Sequence, residues 1–128
     1  MIKKHIIKTP NAPDALGPYS QGIVFWNFVF TSMELPIDPK TGKLVSEDLK
    51  EQTRQVIKNV KAIMESGGSS LEEIVKMTVY INDINNFPQV NEAYEEFFPE
   101  NPPARALVVV SDLPLGAKVA MDAMGVRE

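Results

Sequence analysis

The sequence predicts an α+β fold in the order βββ-α-β-α-ββ, with one sheet and two helices packed on one of its faces. Three observations support this: short runs rich in β-branched and aromatic residues, two longer segments with apolar residues at helical spacing, and clusters of Gly and Pro between them. Residues 23–25 and 28–32 read as strands joined at Trp26-Asn27, a tight turn that suits Asn and for which Trp is unusual. Pro36-Ile37-Asp38-Pro39-Lys40-Thr41-Gly42 is dense in turn formers and reads as an ordered loop. Leu49, Thr53, Val56, Ile57, Val60, Ile63 and Met64 share one helical face, with Ser46 as candidate N-cap and Gly67-Gly68 as the stop. Ser70-Leu71-Glu72-Glu73 has the spacing of a capping box and starts one short turn. A strand follows, in which Val75, Met77, Val79 and Ile81 alternate with Lys76, Thr78, Tyr80 and Asn82.

The second helix carries Phe87, Val90, Tyr94, Phe97 and Phe98 on its apolar face, with Pro88 tolerated in the first turn and Pro99 as the end. Two last strands run from about residue 105 to 111 and from 118 to 126. The connection Asp112-Leu113-Pro114-Leu115-Gly116 is short enough for a hairpin. Phe25, Phe28, Phe30, Leu107, Val109 and Met124 exceed what two helices can cover, so the other sheet face is expected to pair with further copies of the chain.

Composition narrows the function classes. A chain of 128 residues, 44% hydrophobic, suits one globular domain over residues 1–128. Its net charge of -4 and scattered lysines disfavour nucleic acid as a partner. Without cysteine there is no disulfide framework, thiolate nucleophile or cysteine metal site. The opening Met1-Ile2-Lys3-Lys4-His5-Ile6-Ile7-Lys8 lacks the apolar core of a secretory leader, and no run approaches the roughly 20 apolar residues that span a bilayer. A soluble cytoplasmic protein, with no membrane partner, is the expectation. His5 is the sole histidine and has no companions at metal-ligand spacing, and neither a phosphate loop nor a dinucleotide fingerprint occurs. No cofactor and no metal are implied.

Arg105 is the most informative residue. In Pro102-Pro103-Ala104-Arg105 it opens the apolar run Ala106-Leu107-Val108-Val109-Val110, where a guanidinium needs an anionic partner. That partner is either an acidic side chain of the protein or a small carboxylate-bearing metabolite gripped by the planar donor fork. Asp122 falls nearly opposite Arg105 across the expected hairpin, and a shift of one residue in the turn sends it to the other face. Gly17-Pro18-Tyr19-Ser20-Gln21 combines a turn with an aromatic hydroxyl able to close over a ligand. Asn91 sits on the apolar face of the second helix, where its amide must find a partner. Ser32 ends a strand without a neighbouring His or a nucleophile elbow, and reads as a pocket or structural residue.

Taken in order, Gly17-Pro18-Tyr19-Ser20-Gln21, Ile37-Asp38-Pro39-Lys40-Thr41-Gly42, Gln52-Thr53-Arg54-Gln55, Val90-Asn91 and Pro103-Ala104-Arg105 make the whole chain resemble the RidA family of reactive-intermediate deaminases, also called the YjgF family. The resemblance implies a chorismate-mutase-like α+β fold, a homotrimer with three clefts between subunits, and cofactor-free hydrolysis of enamines or imines such as 2-aminoacrylate and 2-iminobutyrate to 2-keto acids and ammonia. It implies that Arg105 binds the substrate carboxylate, that Asp122 positions or deprotonates the attacking water, and that Tyr19, Ser32 and Asn91 line the cleft. The chain departs from the family where Ser32-Met33-Glu34 stands for the usual Ser-Gly-Gln, Asp122 for a Glu one methylene longer, and Ala106-Leu107 for a frequent Ser-Cys. Two further readings stay beside imine hydrolysis: a non-catalytic binder of small carboxylates such as 2-keto acids, and an RNA-directed role that the acidic composition does not favour.

Overall fold

The computed structural model describes residues 3–128. Met1 and Ile2, which open the segment read above for a leader, lie outside the described residues. The strands are β1 (Lys4–Ile7), β2 (Gly22–Phe25), β3 (Phe28–Thr31), β4 (Ile37–Asp38), β5 (Lys43–Leu44), β6 (Ile74–Ile81), β7 (Ala104–Val109) and β8 (Val119–Val126), and the helices are α1 (Leu49–Ser66) and α2 (Phe87–Glu95). Six strands form a mixed sheet in the order β1-β2-β3-β8-β6-β7, while β4 and β5 make a small ribbon. Every pairing in the large sheet is antiparallel except β6 with β7. This is the α+β arrangement expected from the sequence, with β1 as the third strand before the first helix.

The expected hairpin between the last two strands does not form. Parallel neighbours need a crossover, and α2 supplies it, laying β7 on the outer side of β6. The chain then turns back, and β8 enters the gap between β3 and β6, pairing antiparallel with both. A central position suits β8, because Val119, Ala120, Met121 and Ala123 are all buried. An edge position suits β7, whose Val108 and Val109 are exposed.

One face of the sheet holds the core. Val24, Val29, Met77, Val79, Ile81, Met121 and Ala123 point at α1 and α2, where Val56, Ile57, Val60, Ile63, Met64 and Val90 meet them. Apart from Ala123, each such side chain contributes about 1.5–3 kcal/mol by leaving water. Gly22 lies where α1 comes nearest, since a Cβ there would stand 2.6 Å from Ile63 Cγ2 and 2.7 Å from the Phe30 carbonyl oxygen. The opposite face carries Phe25, Phe28 and Phe30, 38–40% exposed, beside partly covered Met124. Leu107 and Val109 depart from that group, because their registers opposite Val79 and Ile81 turn both to the helix side, where Leu107 packs on the core and Val109 stays exposed at the edge.

Three local expectations are corrected. Asp48, not Ser46, caps α1: its Oδ2 accepts the Glu51 N–H at 2.9 Å, while Ser46 Oγ accepts the Asp48 N–H just ahead of it. Val75 is exposed and Ile74 buried, because an irregularity between Ile74 and Lys76 shifts the alternation by one residue. Helix α2 ends at Glu95, so Phe97 and the buried Phe98 pack from the turn beyond it, before Pro99. The short turn at Leu71–Glu73 forms where expected, with Ser70 Oγ donating to Glu73 Oε1. At the first hairpin the left-handed residue is Trp26, with φ 56°. Among the described residues no helix is long and apolar enough to cross a membrane.

Candidate functional site

Register decides where Arg105 points. Opposite Met77 in the parallel pair, it shares the helix-facing side of the sheet, and at the edge strand it emerges beside α2 rather than beneath it. Its Nη1 donates to Asn91 Oδ1 at 2.8 Å. The guanidinium carbon lies 4.9 Å from the centroid of the Tyr94 ring and 5.6 Å from that of Phe87, which adds cation–π attraction of about 0.5–2 kcal/mol per ring. Asn91, Tyr94 and Phe87 are thus brought to one cation by helical spacing on α2. A cleft of about 490 Å³ opens at this point between Tyr94, Phe98, Pro102 and Pro103. Among the described residues the ion pairs are Lys50–Glu92, Arg54–Glu51 and Arg54–Glu96, so no carboxylate lies within 4.0 Å of the Arg105 guanidinium, and Glu95, which lines the same cleft, forms no ion pair with it.

Asp122 stands elsewhere. It pairs with Thr78 across β6 and β8, and its side chain leaves the sheet on the face away from the helices. The direct Arg105–Asp122 pair that one register of the expected hairpin allowed is therefore absent within one chain, because β6 separates the two strands and the side chains take opposite faces. Tyr80, two residues along β6 on the same face, donates its hydroxyl to Asp122 Oδ2 at 2.7 Å. That bond is the main cause pushing the Tyr80 hydroxyl up to about 12, so the phenol stays a donor. Oδ1 of Asp122 carries no described bond and is free to accept a proton or orient a water.

Tyr19 and Ser32 share a third element of the site. They border a mainly apolar cavity of about 430 Å³ walled by Leu16, Met33, Leu35 and Pro114. Leu35 and Tyr80 both pack against the cluster of Leu113, Ala117 and Ala120, and Ala120 shares the face of Asp122 on β8, which places the cavity on the Asp122 side of the sheet. The Tyr19 hydroxyl accepts the Leu16 N–H at 3.1 Å, and Ser32 Oγ donates to the Ser20 carbonyl at 2.6 Å, so both side chains are fixed by their own loop. Buried Gln21 fastens the loop's start, bonding the backbone of Thr9, Ala12 and Pro13.

Sequence reasoning singled out Arg105, as needing an anionic partner, and Asn91, as needing a partner for its amide, each on its own; in the structure they bond to each other. It missed Tyr80, which appeared only as a polar member of an alternating strand; Phe87 and Tyr94 do belong to or pack against the core, as expected, and what went unread is that their rings also face Arg105. The signal was present for the rings: an arginine expected beside an aromatic helix face is a cation–π arrangement. Among the described residues no group of three His, Cys, Asp or Glu is placed to hold a metal ion.

Comparison with known proteins adds a family. The model of a family described as Endoribonuclease L-PSP matches residues 9–126. A RutC family protein of Pyrococcus abyssi is 49% identical over 127 residues, covering 99% of this chain and 100% of its own length. A 2-iminobutanoate/2-iminopropanoate deaminase of Salmonella typhimurium is 48% identical over 124 residues, 94% of this chain and 96% of its own. Among solved structures, the YjgF gene product of Escherichia coli superposes with a TM-score of 0.93 at 44% identity, covering 97% of this chain and 99% of that one. TdcF of Escherichia coli with bound serine gives 0.92 at 42% identity, with the same coverage of both chains.

Proposed function

The chain belongs to the Endoribonuclease L-PSP family, that of the RidA/YjgF proteins, and from that premise we propose that it hydrolyses small imines and enamines such as 2-iminobutyrate and 2-aminoacrylate to 2-keto acids and ammonia. The observation that carries this reading is Arg105, a half-buried guanidinium held by Asn91 and two rings with no carboxylate of its own. Its remaining N–H groups match a substrate carboxylate. Relatives named as imine deaminases at 46–48% identity support the same chemistry.

Arg105 and Asp122 of one chain leave the sheet on opposite faces, so in our reading they meet only across a boundary between copies. One copy supplies Arg105 and Asn91; the next supplies Asp122, Tyr19 and Ser32. The bare aromatic face of Phe25, Phe28 and Phe30 is the surface on which copies would close into a homotrimer with three such clefts. In the reaction, Arg105 anchors the carboxylate and aims the imine carbon. Asp122 takes a proton from water as the water oxygen bonds to that carbon, and the imine nitrogen takes a proton from solvent to give the carbinolamine. The C–N bond then breaks as the hydroxyl gives its proton back to solvent and becomes the 2-keto group, with the proton held by Asp122 passing to the departing ammonia. Tyr80 keeps the carboxylate oriented throughout.

A non-catalytic binder of 2-keto acids is the alternative, favoured by the hydroxyl of Tyr80 already engaging Asp122. Turnover separates the two. With a serine or threonine dehydratase generating the imine, 2-keto acid formation should accelerate when this protein is added. Arg105→Ala should lower kcat/KM by about 100- to 1000-fold, the loss of a charge-assisted bidentate contact and its positioning. No acceleration with either imine in the assembled protein excludes the hydrolase reading for those substrates.

A further inference from the structure

The cleft at Arg105 holds a second charge that the steps above leave unused. Glu95, the last residue of α2, lines it together with Asn91 and Tyr94. Helical spacing puts it there: Asn91, which bonds Arg105, lies four residues before Glu95, so the two share one side of α2. Glu92 and Glu96, also four apart, share the adjoining side, and both are spent on α1, where they pair with Lys50 and Arg54. Glu95 is exposed, and its carboxylate carries no described hydrogen bond or ion pair.

Among the described residues, Arg105 and Glu95 are the charged members of the cleft wall; the rest is Asn91, two aromatic rings and three prolines. Apolar walls screen charges from one another less than water does. The Arg105 guanidinium balances one ligand carboxylate. A second carboxylate on the same ligand meets no second cation in this wall and is repelled by Glu95. In the assembled site of our reading the next copy adds Asp122, so that one cation faces two acids before any ligand enters.

We propose that Glu95 is a specificity-determining residue, an electrostatic filter that admits ligands with one carboxylate and turns away those with two. The inference rests on the reading of Arg105 as a carboxylate anchor and narrows the substrate class of that site. Imines with a single carboxylate and a neutral or positively charged side chain fit it; imines derived from acidic amino acids do not. Contact is unnecessary for this, because the repulsion acts over several ångströms. Charges about 7 Å apart, at an effective dielectric between that of a protein surface and that of water, change an affinity by about threefold or more. A ligand of one carboxylate also feels Glu95, but it has the guanidinium as counter-ion, whereas the second carboxylate of a dianion has none.

Calorimetry at neutral pH would compare 2-oxoglutarate with 5-methyl-2-oxohexanoate, in which a neutral isopropyl group of the same shape stands for the distal carboxylate. The quantity read is the ratio of their dissociation constants, dicarboxylate over monocarboxylate, which cancels what the two ligands share. At low salt Glu95→Gln should lower that ratio about threefold or more, and Glu95→Lys should lower it further. Glu65→Gln makes the same change of charge at an exposed position of α1, about 16 Å along the helix from Arg54, and should leave the ratio as in the wild type. At 0.5 M salt, where the screening length shrinks to about 4 Å, the effect of Glu95→Gln should largely vanish, which a purely steric role would not do. A ratio unchanged in Glu95→Gln, or lowered equally in Glu65→Gln, overturns the filter. Arg105→Ala keeps the two readings apart: it should abolish binding of both ligands, and if it binds them as the wild type does, or if the wild type binds neither, the anchor fails and the filter with it. An unchanged ratio with binding that still needs Arg105 sinks the filter alone.

Discussion

Replacing Glu34 by Gln should make the protein more stable in alkali and remove a pH dependence that the wild type carries. The carboxyl moves from 4.5 to about 8 on folding because burial disfavours its charge. At about 1.4 kcal/mol per pH unit, that displacement corresponds to roughly 5 kcal/mol at most, less whatever water entry recovers. The sign follows from proton counting. Between pH 4.5 and 8 the folded chain holds a proton that the unfolded chain has lost, so stability falls with rising pH through that window and levels off above it. Such a loss is large against a typical domain stability of about 5–15 kcal/mol. The assay is urea unfolding of wild type and Glu34→Gln at pH 5, 6, 7 and 8, at one fixed protomer concentration because association contributes to the result. The gap between the two proteins should widen by about 1 kcal/mol per pH unit. Parallel stability curves between pH 5 and 8 would refute the claim that Glu34 folds with its proton on.

Two further outcomes follow from packing. Asp48→Ala removes the side chain that receives the Glu51 N–H and should cost about 1 kcal/mol in urea unfolding, whereas Ser46→Ala should cost less. Phe30→Asp places a charge at the centre of the bare aromatic face, between Ile23 and Met124 in register, and should shift sedimentation toward monomer while leaving the helix content unchanged.

Much of this architecture was legible because local patterns and the fold agree. The stripe from Leu49 to Met64 needs a sheet to cover it, and Asn91 on an apolar face announced a partner that proved to be half-buried Arg105. The failure at the last two strands was topological rather than local. Five connecting residues permit a hairpin, yet a strand, a helix and a strand in succession favour a parallel pair, and once β7 takes the outer side of β6 the returning strand has the gap beside β3 open to it. That insertion also explains why Arg105 and Asp122 could not be matched by counting residues. Tyr80 was hidden for a different reason, since its bond to Asp122 depends on register across two strands distant in sequence. Ser46 and Asp48 both suit a helix start, and only the position of the first helical turn distinguishes them.

The central claim, that each site joins Arg105 of one copy to Asp122 of another, is tested most directly by mixing subunits. Arg105→Ala and Asp122→Ala would be prepared separately, shown inactive toward enzymatically generated 2-iminobutyrate, then unfolded, combined in equal amounts and refolded. In a closed ring with random assembly, roughly a quarter of the sites would pair an intact Arg105 with an intact Asp122 from the neighbouring copy, and activity should return to about that fraction of wild type. Activity that stays at the level of the separate variants, in mixed oligomers shown to have formed, would contradict the account and assign both residues to the same chain.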